Sequence, residues 1–175
     1  MMAFWKQFWK PVSADPKTRM VPLYNQIVTK ARQSHWYEVG HVPDSIDGRF
    51  DMVSTLFSIV LLKLETEPAQ AQNMAHLTEV LVDDMDGQLR EVGIGDMIVG
   101  KHIGKIMGAV GGKIVAFRDA GVDHNRLDEV IARNLYRGEA VNIDAATHVR
   151  ENLLDVMQKL SNIAPADLAR GSAAW

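Results

Sequence analysis

Residues 90–113, REVGIGDMIVGKHIGKIMGAVGGK, decide how this chain reads. A Gly-x-Gly-Asp turn, Gly93 to Asp96, opens the stretch, and an apolar helical pattern follows. Val99, Ile103, Ile106, Val110, Ile114 and Phe117 recur at steps of three or four, one face of a helix. Gly100, Gly104, Gly108 and Gly112 fall every fourth residue and form a second stripe without side chains. An interior glycine costs a helix about 0.8–1.0 kcal/mol relative to alanine, so the four together cost roughly 3–4 kcal/mol. That is a large fraction of a domain's stability. The expectation is that another helix, or a ligand, lies close against the bare backbone and offsets the loss.

Two motifs in this stretch mislead. Residues 95–101 read G-x-x-x-x-G-K, the start of a P-loop, but His102 stands where Ser or Thr is needed. The preceding MDGQLRE has no strand pattern, so nucleotide binding is set aside. The G-x-x-x-G repeats resemble those of membrane helix dimers, yet Lys101, His102, Lys105 and Lys113 interrupt the run. No window reaches about 18 apolar residues, which excludes a spanning helix on this pattern.

Upstream, residues 50–64 are apolar almost all round, as in a helix buried on most sides. This segment is the expected central helix and the expected partner of the glycine stripe. Before it, Asp44, Asp47, Arg49 and Asp51 crowd a loop-to-helix junction, with Asp47 as the expected cap of a helix starting at Gly48 or Arg49. Such a cluster fits a hub of caps and salt bridges better than a catalytic site, because no nucleophile or metal-ligand spacing accompanies it. Pro22 begins a helix patterned on Leu23, Ile27, Val28 and Ala31 that ends near Ser34. At the N-terminus, Phe4, Trp5, Phe8 and Trp9 would share one helical face flanked by Lys6 and Lys10. That pattern suits either a short interfacial helix or a terminal helix folded onto the core.

Downstream of Pro68, Met74, Leu77, Leu81, Met85 and Leu89 give an amphipathic helix. Its other side carries Glu79, Asp83 and Asp86, with Asp86 and Arg90 spaced to pair. An acidic face of this kind is either merely solvated or a docking surface for a basic partner. Two more helical patterns complete the set, residues 127–136 with Asp123 or Asn125 as the cap, and residues 144–160. The fold class is all-α, about seven helices in a single bundle. The expected organisation is an aromatic N-terminal segment and hinge (1–15), a helical domain (16–163) and a tail (164–175). The tail is read as a short turn of helix and then frayed chain, with Trp175 incidental.

Composition agrees with one folded unit: 175 residues, 47% hydrophobic and 23% charged. A net charge of −3 argues against general nucleic-acid binding. The absence of cysteine removes thiol nucleophiles and cysteine-ligated zinc. No secretory leader pattern opens the chain, so cytoplasmic residence is expected. The six histidines form no H-x-x-x-H pair, and neither G-x-S-x-G nor H-E-x-x-H occurs. His102 as a haem ligand lacks a second ligand. No catalytic residue, cofactor or metal is assigned.

The order of several short groups nevertheless resembles the ubiquinol–cytochrome c chaperone family, assembly factors for respiratory complex III. The groups are Tyr37, then Val42-Pro43-Asp44 and Asp47-Gly48-Arg49-Phe50-Asp51, then Asp84-Met85-Asp86, Leu89-Arg90-Glu91, Gly93, Gly95-Asp96 and Lys101. Gly112-Lys113 stands where the family tends to carry Gly-Arg, and Arg133-Asn134-Leu135-Tyr136 is a further match. The resemblance covers roughly residues 23–138. Gly111, where the family commonly has an aromatic, and Phe117, where Tyr is frequent, depart from it.

The resemblance implies a non-enzymatic chaperone that binds cytochrome b, works with a second assembly factor, and sits peripherally at the cytoplasmic face of the inner membrane. Asp44, Arg49, Asp86, Arg90, Asp96 and Lys101 are the expected partner-binding residues, and Phe4, Trp5, Phe8 and Trp9 the expected membrane contact. The competing reading is a small-ligand carrier for haem, quinone or lipid, with a pocket beside the glycine-rich helix.

Overall fold

In the computed structural model, residues 15–91, 93 and 95–175 are described, except for the side chains of Asp96 and Met97. The expected membrane-contact residues Phe4, Trp5, Phe8 and Trp9 lie outside them. Among the described residues there are only helices, turns and irregular chain, which is the all-α class expected.

The segment that is apolar all round becomes α3 (Ile46–Glu65), and it is the centre of the fold. Met52, Leu56, Phe57, Val60 and Leu64 are fully buried, and so are the small polar residues Ser54 and Ser58. The serine hydroxyls donate back to the carbonyls of Phe50 and Ser54, which lets polar atoms sit inside the core. Around α3 pack α1 (Val21–Ala31), α4 (Ala71–Glu91), α5 (Asp96–Ala120), α7 (Ile143–Ser161) and the short α8 (Pro165–Ala169). The single-turn α2 (His35–Glu38) follows α1, and α6 (His124–Asn134) bridges α5 and α7. A 3₁₀ turn at Pro16–Met20 lies along α4.

The start of α3 differs from expectation. Ser45, not Asp47, is the N-cap: its Oγ accepts from the Gly48 N–H at 3.1 Å, and the helix begins at Ile46. Asp47 is freed for an ion pair elsewhere. Gly48 is required by close approach, because a Cβ there would overlap the carbonyl oxygen of Pro43. The Val-Pro-Asp turn and the Asp-Gly-Arg helix start are thus one interlocked unit. Asp123 does cap α6, accepting from the Arg126 N–H at 2.9 Å.

α5 packs against α3 more extensively than any other pair of elements, as the sequence predicts. It does so with Val110, Phe117 and the stem of Lys113, and among the described residues the glycine stripe is not the contact. Among the described residues, nothing lies within 4 Å of where a Cβ would stand at Gly100, Gly104, Gly108, Gly111 or Gly112. The stripe faces outward. The reason is area: a helix turns inward the side whose side chains remove most apolar surface from water, and glycine has no side chain to bury. Packing among the described residues does not recover the cost of these glycines.

The C-terminus is also corrected. Trp175 is not on frayed chain: its indole Nε1–H donates to Gln26 Oε1 at 3.0 Å, and Lys30 Nζ donates to the Trp175 carbonyl at 2.7 Å. Gln26 in turn donates to the Gly171 carbonyl. The last residues are therefore tied to α1, with Leu168 buried in the core.

Candidate functional site

Of the residues expected to bind a partner, Asp44 lies in the loop before α3 and the others lie on α3, α4 and α5. Asp44 and Arg49 form an exposed pair across the α3 N-terminus, Nε to Oδ1 at 2.6 Å, with the guanidinium over the Tyr37 ring. The hydrogen bond from Arg49 holds the Asp44 carboxyl below the usual carboxylate range and raises the arginine. Neither reaches α4 or α5 by hydrogen bond or ion pair. On α4, Arg90 Nε donates to Asp86 Oδ2 at 2.6 Å, the i,i+4 pair read from spacing. Asp96 opens α5, but its side chain lies outside the described residues. Lys101 is exposed on α5. The P-loop likeness dissolves here, because Gly100 and Lys101 sit inside a helix that begins at Asp96 rather than in a loop.

The acidic face of α4 is partly neutralised by this chain. Lys17 donates to Asp83 at 2.6 Å, and His76 contacts Glu79 at 3.1 Å. On the inner side, the Tyr24 hydroxyl donates to Asp84 at 2.6 Å, and burial together with that bond pushes the phenol up.

The largest charged cluster was only half visible in the sequence. Asp51 accepts from Lys113 Nζ at 2.8 Å and from Arg137 Nη2 at 2.9 Å. Lys113 also donates to Ser54 Oγ at 2.7 Å, and Arg137 reaches Asp47 at 3.1 Å. The Lys113 side chain is 4% exposed and that of Asp51 11%, so this is a buried ion pair with a half-exposed arginine closing it. Burial pulls the Lys113 ammonium down, and the bond to Asp51 opposes that pull. Arg137 has φ +55, a left-handed backbone uncommon for a non-glycine residue, directly before Gly138 at φ +78. The four residues read as one crowded junction therefore divide in two. Asp44 and Arg49 pair outside, while Asp47 and Asp51 turn to α5 and to the end of α6. Arg137 was missed because it stands 86 residues from Asp51 and carries no local signal.

A second unforeseen pair joins α2 to α7: His35 Nδ1 and His148 Nε2 lie 3.0 Å apart. Burial, His148 and Lys30 all lower the His35 pKa. Among the described residues no group of three or more His, Cys, Asp or Glu is placed to hold a metal ion. None of the described helices is long and apolar enough to cross a membrane. Among the described residues the geometry offers the exposed charged pairs Asp44–Arg49 and Asp86–Arg90, and a buried ion-pair hub at Asp51.

Comparison with known proteins decides the family. The model of the ubiquinol-cytochrome C chaperone family matches residues 38–175. This chain belongs to that family. Among solved structures it is similar to the Cbp3 homolog from Brucella abortus, with TM-score 0.78 and 27% sequence identity over 91% of this chain and 89% of that one. No curated protein matches. The chaperone match runs to the end of the chain, well past residue 138, where the resemblance read from motifs stopped. That extension agrees with the docking of Trp175 on α1, since a tail tied into the core is part of the domain.

Proposed function

We propose that this chaperone-family member is non-enzymatic. In this reading it binds cytochrome b and holds it at the cytoplasmic face of the inner membrane while ubiquinol–cytochrome c reductase is assembled with the help of a second factor. The carrying observation is the family match over residues 38–175, with the Cbp3-homolog fold in support. The chemistry of the client is consistent with it. Cytoplasmic loops of membrane proteins carry excess Lys and Arg, and α4 presents Glu79, Asp83 and Asp86. Their present partners are weak competitors, because exposed ion pairs contribute about 0–1 kcal/mol and exchange readily. In this reading Asp44, Arg49, Asp86, Arg90, Asp96 and Lys101 shape the docking surface, and Phe4, Trp5, Phe8 and Trp9 touch the bilayer.

The test is a pull-down of tagged protein from gently solubilised membranes of its host, read by mass spectrometry and visible spectra. Enrichment of cytochrome b, weakened by Asp86→Ala or Arg90→Ala in a protein that still folds, is the expected result. Recovery of no respiratory subunit would sink the proposal.

The ligand-carrier reading retains one observation. An apolar concavity of about 530 Å³ is lined by Leu62, Phe117, Val122, Met157 and Leu160. It lies at the Gly121 end of α5 and not along the glycine stripe. A purified protein carrying haem, quinone or lipid would favour this second reading.

A further inference from the structure

Between α5 and the C-terminal end of α6 lies an open concavity of about 650 Å³ that the docking reading does not use. Its lining includes the cations Lys113, Arg133 and Arg137 and one acid, Asp51, with Asp47 at the edge through its bond to Arg137. The groups are unequal. Lys113 is fully engaged by Asp51 and Ser54 and serves to hold the wall. Arg137 spends three bonds on Asp51 and Asp47, which leaves two of its five N–H donors. Arg133 is exposed and makes no hydrogen bond or ion pair among the described residues. The floor is the bare backbone of Gly111 and Gly112, whose N–H groups belong to the helix; they supply room rather than donors. Arg137 is held in its left-handed backbone at this spot, and such strain gathers where a side chain must be aimed.

The surface beside the cleft has a matching character. Within residues 97–118, which contain no acid, Lys101 and Lys105 are exposed, while Lys113 is buried and Arg118 is paired with Glu65, in a chain whose net charge is −3. Ile98 and Val115 are about half exposed on this helix, and Val115 also lines the cleft. Guanidinium groups bind phosphate oxygens in a fork that ammonium groups do not match. Cations interspersed with exposed apolar side chains suit an anionic bilayer surface better than an acidic peptide, which has no use for Ile98.

We infer that the cleft of Arg133, Arg137 and Gly111-Gly112 takes the phosphate headgroup of an anionic phospholipid, with the acid-free face of α5 lying on the bilayer. The inference rests on the peripheral membrane contact proposed above and gives it a second, structured element beside the aromatic N-terminus.

The experiment is flotation of the full chain with vesicles of phosphatidylcholine alone and of phosphatidylcholine mixed with phosphatidylglycerol. Arg133→Gln is expected to lower affinity for the mixed vesicles about fivefold and to leave neutral vesicles unaffected. Gly112→Glu, whose Cβ would meet nothing within 4 Å among the described residues, is expected to lower it further without loss of helicity. Trp5→Ala with Trp9→Ala should lower binding to both vesicle types, which separates the two membrane elements. Glycerol phosphate should release the protein more effectively than chloride at equal ionic strength. Equal release by the two anions, or unchanged affinity in both cleft variants while the parent binds, overturns the cleft alone. Stronger release by a polyglutamate peptide assigns the cleft to acidic protein and overturns the lipid. Failure of the parent chain to float with any vesicle overturns the membrane contact as well.

Discussion

Asp51 shows how much can depend on one carboxylate. It is the shared acceptor for Lys113 and Arg137, and the lysine it satisfies has almost no access to water. Removal of one partner from a buried pair leaves an uncompensated charge and costs about 3–5 kcal/mol. Asp51→Ala should therefore lower unfolding free energy by about that amount. Lys113→Met should cost less, because Asp51 keeps Arg137 and the new side chain is apolar. Urea denaturation of the two variants checks the order. The histidine pair has a predictable sign. The folded pKa of His35 lies below its unfolded value of about 6.5, so the unfolded chain takes up the proton more readily. Its contribution to stability is complete above about pH 6.5 and declines as pH falls below that. Thermal melts from neutral to mildly acid pH should show the decline, and His148→Asn should lessen it by removing one of the groups that oppose protonation.

At the scale of elements, the glycines of α5 and the glycine of α3 make opposite demands. Gly104 stands in open space, so Gly104→Ala should stabilise the protein by about 0.8–1.0 kcal/mol. Gly48 sits against the Pro43 carbonyl, so Gly48→Ala must push backbone apart and should destabilise by about 1–3 kcal/mol. Both shifts are read by the same denaturant midpoint. Helix positions, the α6 cap and the i,i+4 pair on α4 were legible because each depends on residues within a few places of one another. The α3 cap was expected at Asp47 and stands two residues earlier, at Ser45. Ser45 takes the role because its backbone is extended, with φ −120 and ψ 168, while Asp47 already lies inside the first turn. The glycine stripe was recognised, but its direction was not, because a repeat gives the face and only the neighbours say where that face points.

At the scale of the whole molecule, α3 is held by helices from both halves of the chain, and the tail is bonded to α1. Local unfolding of the C-terminus should then cost core packing. Trp175→Ala should lower the melting temperature with one transition retained, equivalent to about 1–2 kcal/mol, as calorimetry would show. Of the expected docking residues, the Asp86–Arg90 pair was legible as a short-range spacing, and Asp44 and Arg49 only as members of a charged cluster. The hub of Asp51, Lys113 and Arg137 and the cleft above it were not.

The sequence by itself determined the all-α class, the central place of the apolar helix read at residues 50–64 and the family resemblance. Each of these rests on periodicity or on the order of short motifs, which the chain carries locally. Only the tertiary structure decided that the glycines face outward, that Trp175 is docked, and which base each acid meets. Those outcomes depend on competition for burial and for partners among residues far apart in the chain, and no local pattern records the winner.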